Sequence, residues 1–222
     1  MIEFHRVSKI YALGPVKVPA LSDVSFTIAK GEFVILTGPS GAGKTTLLRL
    51  LYRDEIATEG EIKILGQPMA DLGRSEVAAL RRSIGVVFQD AKLLPGRTVY
   101  ENVAFVLRVT GVPRGEIVAR VFDALRAVGI SARAQSLPAQ LSQGEAQRAS
   151  LARAIVRTPA LLIADEPTAN VDDAMASELI DVLKDIGARG TTVILATHQA
   201  RLALRLRQRM LVLEHGRLVK DG

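Results

Sequence analysis

Hydrophobic positions switch repeatedly between strand-like and helix-like periods along this chain. Residues 2–7, the alternating VSFTI of 24–28, then 33–37 and 61–65 read as strands, so the opening third is rich in β-structure. A glycine-rich stretch from Gly38 to Gly43 interrupts, and the Leu-rich 45–52 follows as a helix. The pattern then predicts a short helix over 75–82 and a buried strand over 84–88, IGVVF. From Thr98 to about Gln140 the signals are almost all helical. Within 115–128, Ile117, Val118, Val121, Phe122, Leu125 and Val128 fall on one helical stripe.

The last third returns to alternation. A helix after Ser142 stops near Pro159, LLIA at 161–164 is a buried strand, a helix covers 174–186, and 192–196 is a strand. A hairpin of 210–213 and 217–219 turns at His215-Gly216. The alternation predicts an α/β class, with a helical subdomain inserted in an α/β core. The expected organisation is a single domain, 1–222, in which 89–157 is the helical insertion and 1–88 with 158–222 the remainder.

Composition narrows the chemistry. Hydrophobic residues at 48% and charged residues at 23% describe a globular chain, not a disordered one. With Cys at 0, disulfide frameworks, iron–sulfur clusters and cysteine nucleophiles are excluded, and His at 3 leaves little room for a histidine-based metal centre. The opening MIEFHRVSKIY places charges where a signal peptide needs an apolar run, and no stretch approaches the length of a membrane span. A soluble, cytoplasmic chain is therefore expected. The net charge of +6 suits nucleic acid or an anionic membrane surface and selects neither. Aromatics at 4% leave few platforms for stacking single-stranded nucleic acid. Arg201, Arg205, Arg207 and Arg209 read most simply as a solvated helical face, with attraction to a membrane surface as the alternative.

Three strings carry the chemistry. The first, Gly38-Pro39-Ser40-Gly41-Ala42-Gly43-Lys44-Thr45, satisfies G-x-x-x-x-G-K-[ST] between a strand and a helix. Its glycines let backbone N–H groups approach phosphates, Lys44 reaches the β- and γ-phosphates, and the Thr45 hydroxyl ligates Mg²⁺. In the second, Asp165 and Glu166 follow the apolar LLIA, at the strand end where ligand sites open in α/β sheets. There Asp165 suits Mg²⁺ and Glu166 suits polarisation of the attacking water. The third, Ser142-Gln143-Gly144-Glu145, is a capping box at a helix N-terminus, and with Gly144 beside it also an anion site. Gln147, Arg148 and Arg153 follow in the same string.

Together these strings resemble the nucleotide-binding subunits of ABC transporters, over essentially the whole chain. The resemblance implies a P-loop NTPase of the ABC type, with a RecA-like parallel-sheet core, an N-terminal antiparallel β subdomain and the inserted helical subdomain. It implies Walker A over Gly38 to Thr45 with Thr46 beside it, and Walker B ending at Asp165 with Glu166 as general base. Gln89 falls on the Q-loop glutamine, a Mg²⁺ and water contact, and 141–145 on the signature. Ala169, Asn170, Val171 and Asp172 fall on the D-loop, and His198 on the switch histidine. Tyr11 falls on the aromatic that stacks on adenine; the alternative for Tyr11 is an edge aromatic that packs the β-rich part, and for His198 a capping residue. Gln143 stands where the signature has its first glycine, Glu145 closes it, and Ala169 opens the D-loop where glycine is also familiar.

The family's mechanism implies ATP and Mg²⁺ as cofactors and an ATP-dependent homodimer, each nucleotide lying between one Walker A and the other chain's Ser142 and Gly144. It also implies a polytopic membrane partner, peripheral attachment to the cytoplasmic face of a bacterial inner membrane, and no nucleic acid. Residues 4–11, 97–103, 170–174 and 209–213 resemble the compact subunits that serve bacterial cell division and act on division proteins through their membrane partner. The ATPases of lipoprotein release and macrolide export are the alternative, and a nucleotide-gated scaffold for division proteins the alternative of another class. The roughly one hundred residues between Walker A and the signature carry no heptad run, which excludes the coiled-coil repair ATPases.

Overall fold

A computed structural model describes residues 1–169 and 171–222, the side chains of Leu13, Ala200 and Arg201 apart. The chain divides into two compact units, Met1–Arg81 with Thr192–Gly222, and Arg82–Thr191. The expected helical insertion, 89–157, falls within the second. No helix among the described residues is long and apolar enough to cross a membrane.

In the first unit, β1 (Ile2–Leu13) and β2 (Val16–Ile28) form a long antiparallel hairpin, and β4 (Glu59–Ile64), followed by the short β5 (Gln67–Pro68), pairs on the other edge of β1. Phe4 and Phe26 are register partners, and their rings stack with centroids 4.5 Å apart. The outer arm of this hairpin is longer than the sequence pattern predicts. Residues 16–19 of β2 are exposed, so no buried face imposes an alternation there.

The same unit carries β3 (Phe33–Thr37), α1 (Lys44–Leu51), α2 (Arg74–Arg82), β8 (Thr192–Thr197), α7 (Ala200–Leu206), β9 (Arg209–Glu214) and β10 (Arg217–Asp221). β3 pairs in parallel with β8 and β9, and β10 closes antiparallel on β9. All six residues of β8 are buried, as expected of parallel strands covered on both faces. Arg209 departs from the expected helical face: it opens β9 and binds both Asp221 oxygens at 2.6 and 2.8 Å and Glu32 at 2.9 Å. Arg205 and Arg207 remain exposed, while the side chain of Arg201 lies outside the described residues.

The second unit pairs β6 (Ile84–Val87) in parallel with β7 (Leu161–Asp165) and also carries helices. These are α3 (Val99–Val109), α4 (Arg114–Ala127), α5 (Gln143–Ile155) and α6 (Asp173–Ala188). Gly85 is required by contact: a Cβ there would sit 2.5 Å from the Ala154 carbonyl of α5. On α4, Ile117, Val121 and Leu125 are buried, but Val118 is 55% exposed, contrary to the expected stripe. One step along a helix turns about 100°, which carries Val118 off the face that Ile117 buries. With Tyr100, Arg108, Val112, Arg114 and Ile117 it lines a groove of about 610 Å³.

One fully buried side chain closes the loop before α3. The Asn102 amide donates to the carbonyls of Leu94, Arg97 and Thr98 at 3.0–3.2 Å and accepts from the Leu94 N–H at 2.7 Å. Replacing it removes the side-chain partner of the Arg97 carbonyl and of the Leu94 N–H, while the Leu94 and Thr98 carbonyls keep backbone donors, so Asn102→Leu is expected to cost about 1–3 kcal/mol in chemical unfolding. A change below about 0.5 kcal/mol would contradict that role.

Candidate phosphate-binding site

The phosphate loop is shaped by two close approaches of backbone to backbone. Gly38 has φ 146° and a Cβ there would lie 2.1 Å from the Leu213 carbonyl oxygen; Gly43 has φ 104° and its Cβ would lie 2.5 Å from that of Ala20. Neither position accepts another residue, on torsion or on space. The Gly216 N–H donates to the Ala42 carbonyl at 3.1 Å, and the Ser22 N–H donates to the Gly216 carbonyl at 2.8 Å, which ties the loop to the closing hairpin and to β2. Pro39, Ser40 and Gly41 form the exposed crest.

Lys44 opens α1 and is buried. Its ammonium donates to the Gly38 and Pro39 carbonyls at 2.7 and 3.0 Å, neutralising the side of the loop that would repel an anion. The helix starts at Gly43 with no side-chain cap and no acidic residue in its first turn, leaving its N-terminal dipole to an outside anion. Thr45 is exposed and Thr46 half-buried on that first turn. In the same unit Tyr11 is half-buried on β1 opposite Val18, and His198 is exposed directly after β8.

The second unit holds the acidic and signature residues. Asp165 ends β7, half-buried. Glu166 is 8% exposed with φ 48°, a left-handed conformation uncommon for a side chain of this size. Ser142 caps α5 as expected: its hydroxyl accepts from the Glu145 N–H at 3.2 Å while Glu145 accepts from the Ser142 N–H at 2.8 Å. Gln143 is an ordinary first helical residue, outside the positive-φ positions, so the missing signature glycine costs no strain. A Cβ on Gly144 would lie 2.7 Å from Met175, whose N–H is capped by Asp172 at 2.8 Å. The signature and Asp172 are thus brought together through one methionine. Asn170 lies outside the described residues.

Sequence reasoning assigned no role to the side chains that hold the stretch around Gln89. Gln147 is 1% exposed and its amide donates to the backbone carbonyls of Phe88 and Gln89. Arg153 donates to those of Ala91 and Lys92 at 2.8 and 2.6 Å, and burial lowers its pKa. The signal was present in the helical phase: Gln147 occupies a buried position between Gly144 and Leu151, where an apolar residue is expected.

The donor set fits Mg²⁺. Among the described residues no group of three or more His, Cys, Asp or Glu could cage a metal. Mg²⁺ takes one or two protein oxygens and completes its shell with phosphate and water, and each unit by itself carries an oxygen donor of that kind, the exposed Thr45 hydroxyl in the first and the half-buried Asp165 carboxylate in the second.

The ABC transporter family model matches residues 21–169. The cell division ATP-binding protein FtsE of Bacillus subtilis (strain 168) is 46% identical over 221 residues, covering 100% of this chain and 96% of its own length. FtsE of Escherichia coli (strain K12) is 45% identical over 218 residues, covering 98% of this chain and 97% of its own. Among solved structures, the ATP-binding cassette MJ0796, in a dimeric post-hydrolysis state bound to ADP and Pi, aligns with a TM-score of 0.92 at 33% identity. It covers 100% of this chain and 98% of that one.

The cap of α5 carries a pH dependence with a definite sign. The Ser142 N–H, then Arg133 at 2.7 Å, hold the Glu145 carboxyl below its ordinary value of 4.5. A lowered carboxyl contributes stability above its unfolded value and loses it as pH falls through the folded one. Glu145→Gln keeps the capping geometry and removes the charge. The melting-temperature gap between wild type and this variant should hold steady above about pH 5.5 and close below about pH 4.5. A gap unchanged at about pH 3 would contradict the assignment.

Proposed function

The chain belongs to the ABC transporter family, folds as an ABC ATPase cassette and hydrolyses ATP, and from that premise we propose that it drives a cell-division complex of the FtsE–FtsX type. In this reading it sits on the cytoplasmic face of the bacterial inner membrane, bound to a polytopic FtsX-like protein. ATP-driven shape change passes through that partner to cell-wall hydrolases. The FtsE relatives, matched along nearly their whole length, support it. The observation that carries the nucleotide chemistry is the glycine-shaped loop with Lys44 folded beneath it.

The assigned roles follow from electrostatics. Loop amides, Lys44 and the α1 dipole hold the triphosphate and offset charge that builds on the transferring phosphoryl group. Gly38, Pro39, Ser40, Gly41, Ala42, Gly43 and Thr46 shape that cradle, and Tyr11 stacks on the base. Thr45, Gln89 and Asp165 hold Mg²⁺, which when bound screens the phosphate charge. Glu166 takes the proton of the attacking water and His198 orients the γ-phosphate side. Ser142, Gly144, Glu145 and Asp172 of a second copy complete each site, so ATP stabilises a closed homodimer and hydrolysis releases it.

The groove on α3 and α4 supports docking of the membrane partner. Its lining combines the apolar Val112, Ile117 and Val118 with Arg108 and Arg114, which have no carboxylate partner among the described residues. That pairing suits an amphipathic segment with acidic flanks.

Lys44→Ala is expected to weaken ATP binding at least about tenfold. Ser142→Arg should abolish hydrolysis while each monomer still binds ATP; loss of both would contradict a site completed by a second copy. Affinity capture from native membranes should recover an FtsX-like protein, and the double variant Arg108→Glu with Val118→Asp should lose it while still binding ATP. Recovery of a lipoprotein-release or efflux permease would overturn the cell-division reading. Intact ATP binding without turnover in the presence of the partner would overturn the assigned hydrolytic mechanism.

A further inference from the structure

The face of Tyr11 is controlled by a side chain to which no function has been given. The Lys9 ammonium stands 4.9 Å from the Tyr11 ring centroid. It is held there by Glu55 at 2.7 Å and by the Ile56 carbonyl at 2.9 Å, with its side chain 12% exposed. Glu55 is braced in turn by Arg49 at 3.4 Å, and Arg49 binds Asp54 at 2.7 Å. Arg49 lies in the last turn of α1, the helix whose first turn carries Lys44 and Thr45. The stretch that follows α1 is stitched to β1 as well: the Thr58 N–H donates to the Ser8 carbonyl at 2.8 Å, and the Ile10 N–H to the Thr58 hydroxyl at 3.0 Å.

The strand is irregular at this point. Lys9 pairs with Leu21 and Ile10 with Pro19, leaving Ala20 as an extra residue on β2. Such a bulge re-aims neighbouring side chains. The carbonyl of this same Ala20 is the one that Gly43 approaches. The base platform and the phosphate loop are therefore fixed to each other twice, by the bulge and by the chain of contacts from Arg49 through Glu55 to Lys9.

We propose that Lys9 is a positioning residue for the nucleotide base: anchored by Glu55, its ammonium occupies one face of Tyr11 and leaves the opposite face to the purine of ATP. This inference rests on the reading of Tyr11 as the base platform. A cation over one face of an aromatic ring draws π density towards itself, which makes the other face a better partner for an electron-rich base.

The test is equilibrium binding of the full chain by competition against a fluorescent ATP analogue, comparing ATP with inorganic tripolyphosphate, which has no base. Lys9→Met should weaken ATP about three- to tenfold and leave tripolyphosphate unchanged, and Lys9→Arg should restore ATP binding to within about twofold. Glu55→Gln, which keeps Lys9 and loosens its anchor, should give a smaller loss of the same kind and serves if Lys9→Met does not fold. On a Tyr11→Ala background Lys9→Met should add nothing. Unchanged ATP binding in Lys9→Met, an equal loss of tripolyphosphate, or an additive loss in the double variant would overturn the role of Lys9 while leaving Tyr11 in place. An unchanged ATP affinity in Tyr11→Ala would instead overturn the base platform, and the role of Lys9 with it.

Discussion

Two carbonyl oxygens, those of Leu213 and Ala20, set the geometry on which the first unit depends. They come so near to Gly38 and Gly43 that no Cβ fits, and the torsions there exclude other residues independently. The loop is thereby pinned between the closing hairpin and the bulge of β2. A polyanion gains most from backbone donors that need no rearrangement when it arrives, and this pinning supplies them in place. The folded-back Lys44 serves the same end, since its ammonium covers the loop's own carbonyls. The bulge at Ala20 has a second effect, because it lies between the phosphate loop and the strand that carries Tyr11.

In the second unit the organising element is α5. Its N-terminus is a closed capping box, its second residue leaves room only for Met175, and two of its later side chains hold the backbone of 88–92. Gln147 and Arg153 thus bond this helix directly to the stretch that contains Gln89. Side-chain donors on main-chain carbonyls hold that stretch more tightly than apolar packing would, because breaking them leaves buried polar groups unmet. The helix that begins at the Ser142 cap is therefore hydrogen-bonded to the main chain at Gln89.

The sequence made the fold legible wherever burial imposed a period. Strands β3, β7 and β8 and helices α1, α4, α5 and α6 lie within a few residues of the pattern-based bounds, because their apolar runs face a core. The outer hairpin arm escaped, having no buried face, and Arg209 was placed on a helix because charge runs carry no phase of their own. The phosphate loop and the capping box were legible because glycine, lysine and serine are demanded there by geometry. Gln147, Arg153 and Lys9 were not, because their partners are main-chain carbonyls or residues distant in sequence. A string of letters shows which side chains exist, and only packing shows which backbone they hold.

In the proposed mechanism ATP is hydrolysed at sites that two copies close together, with Glu166 governing the proton of water. Its most direct measurement is the solution mass of Glu166→Gln by sedimentation, in Mg²⁺–ATP and in Mg²⁺–ADP. A two-chain mass is expected with ATP and a one-chain mass with ADP. A one-chain mass with ATP demonstrably bound, or a dimer indifferent to the nucleotide, would contradict it.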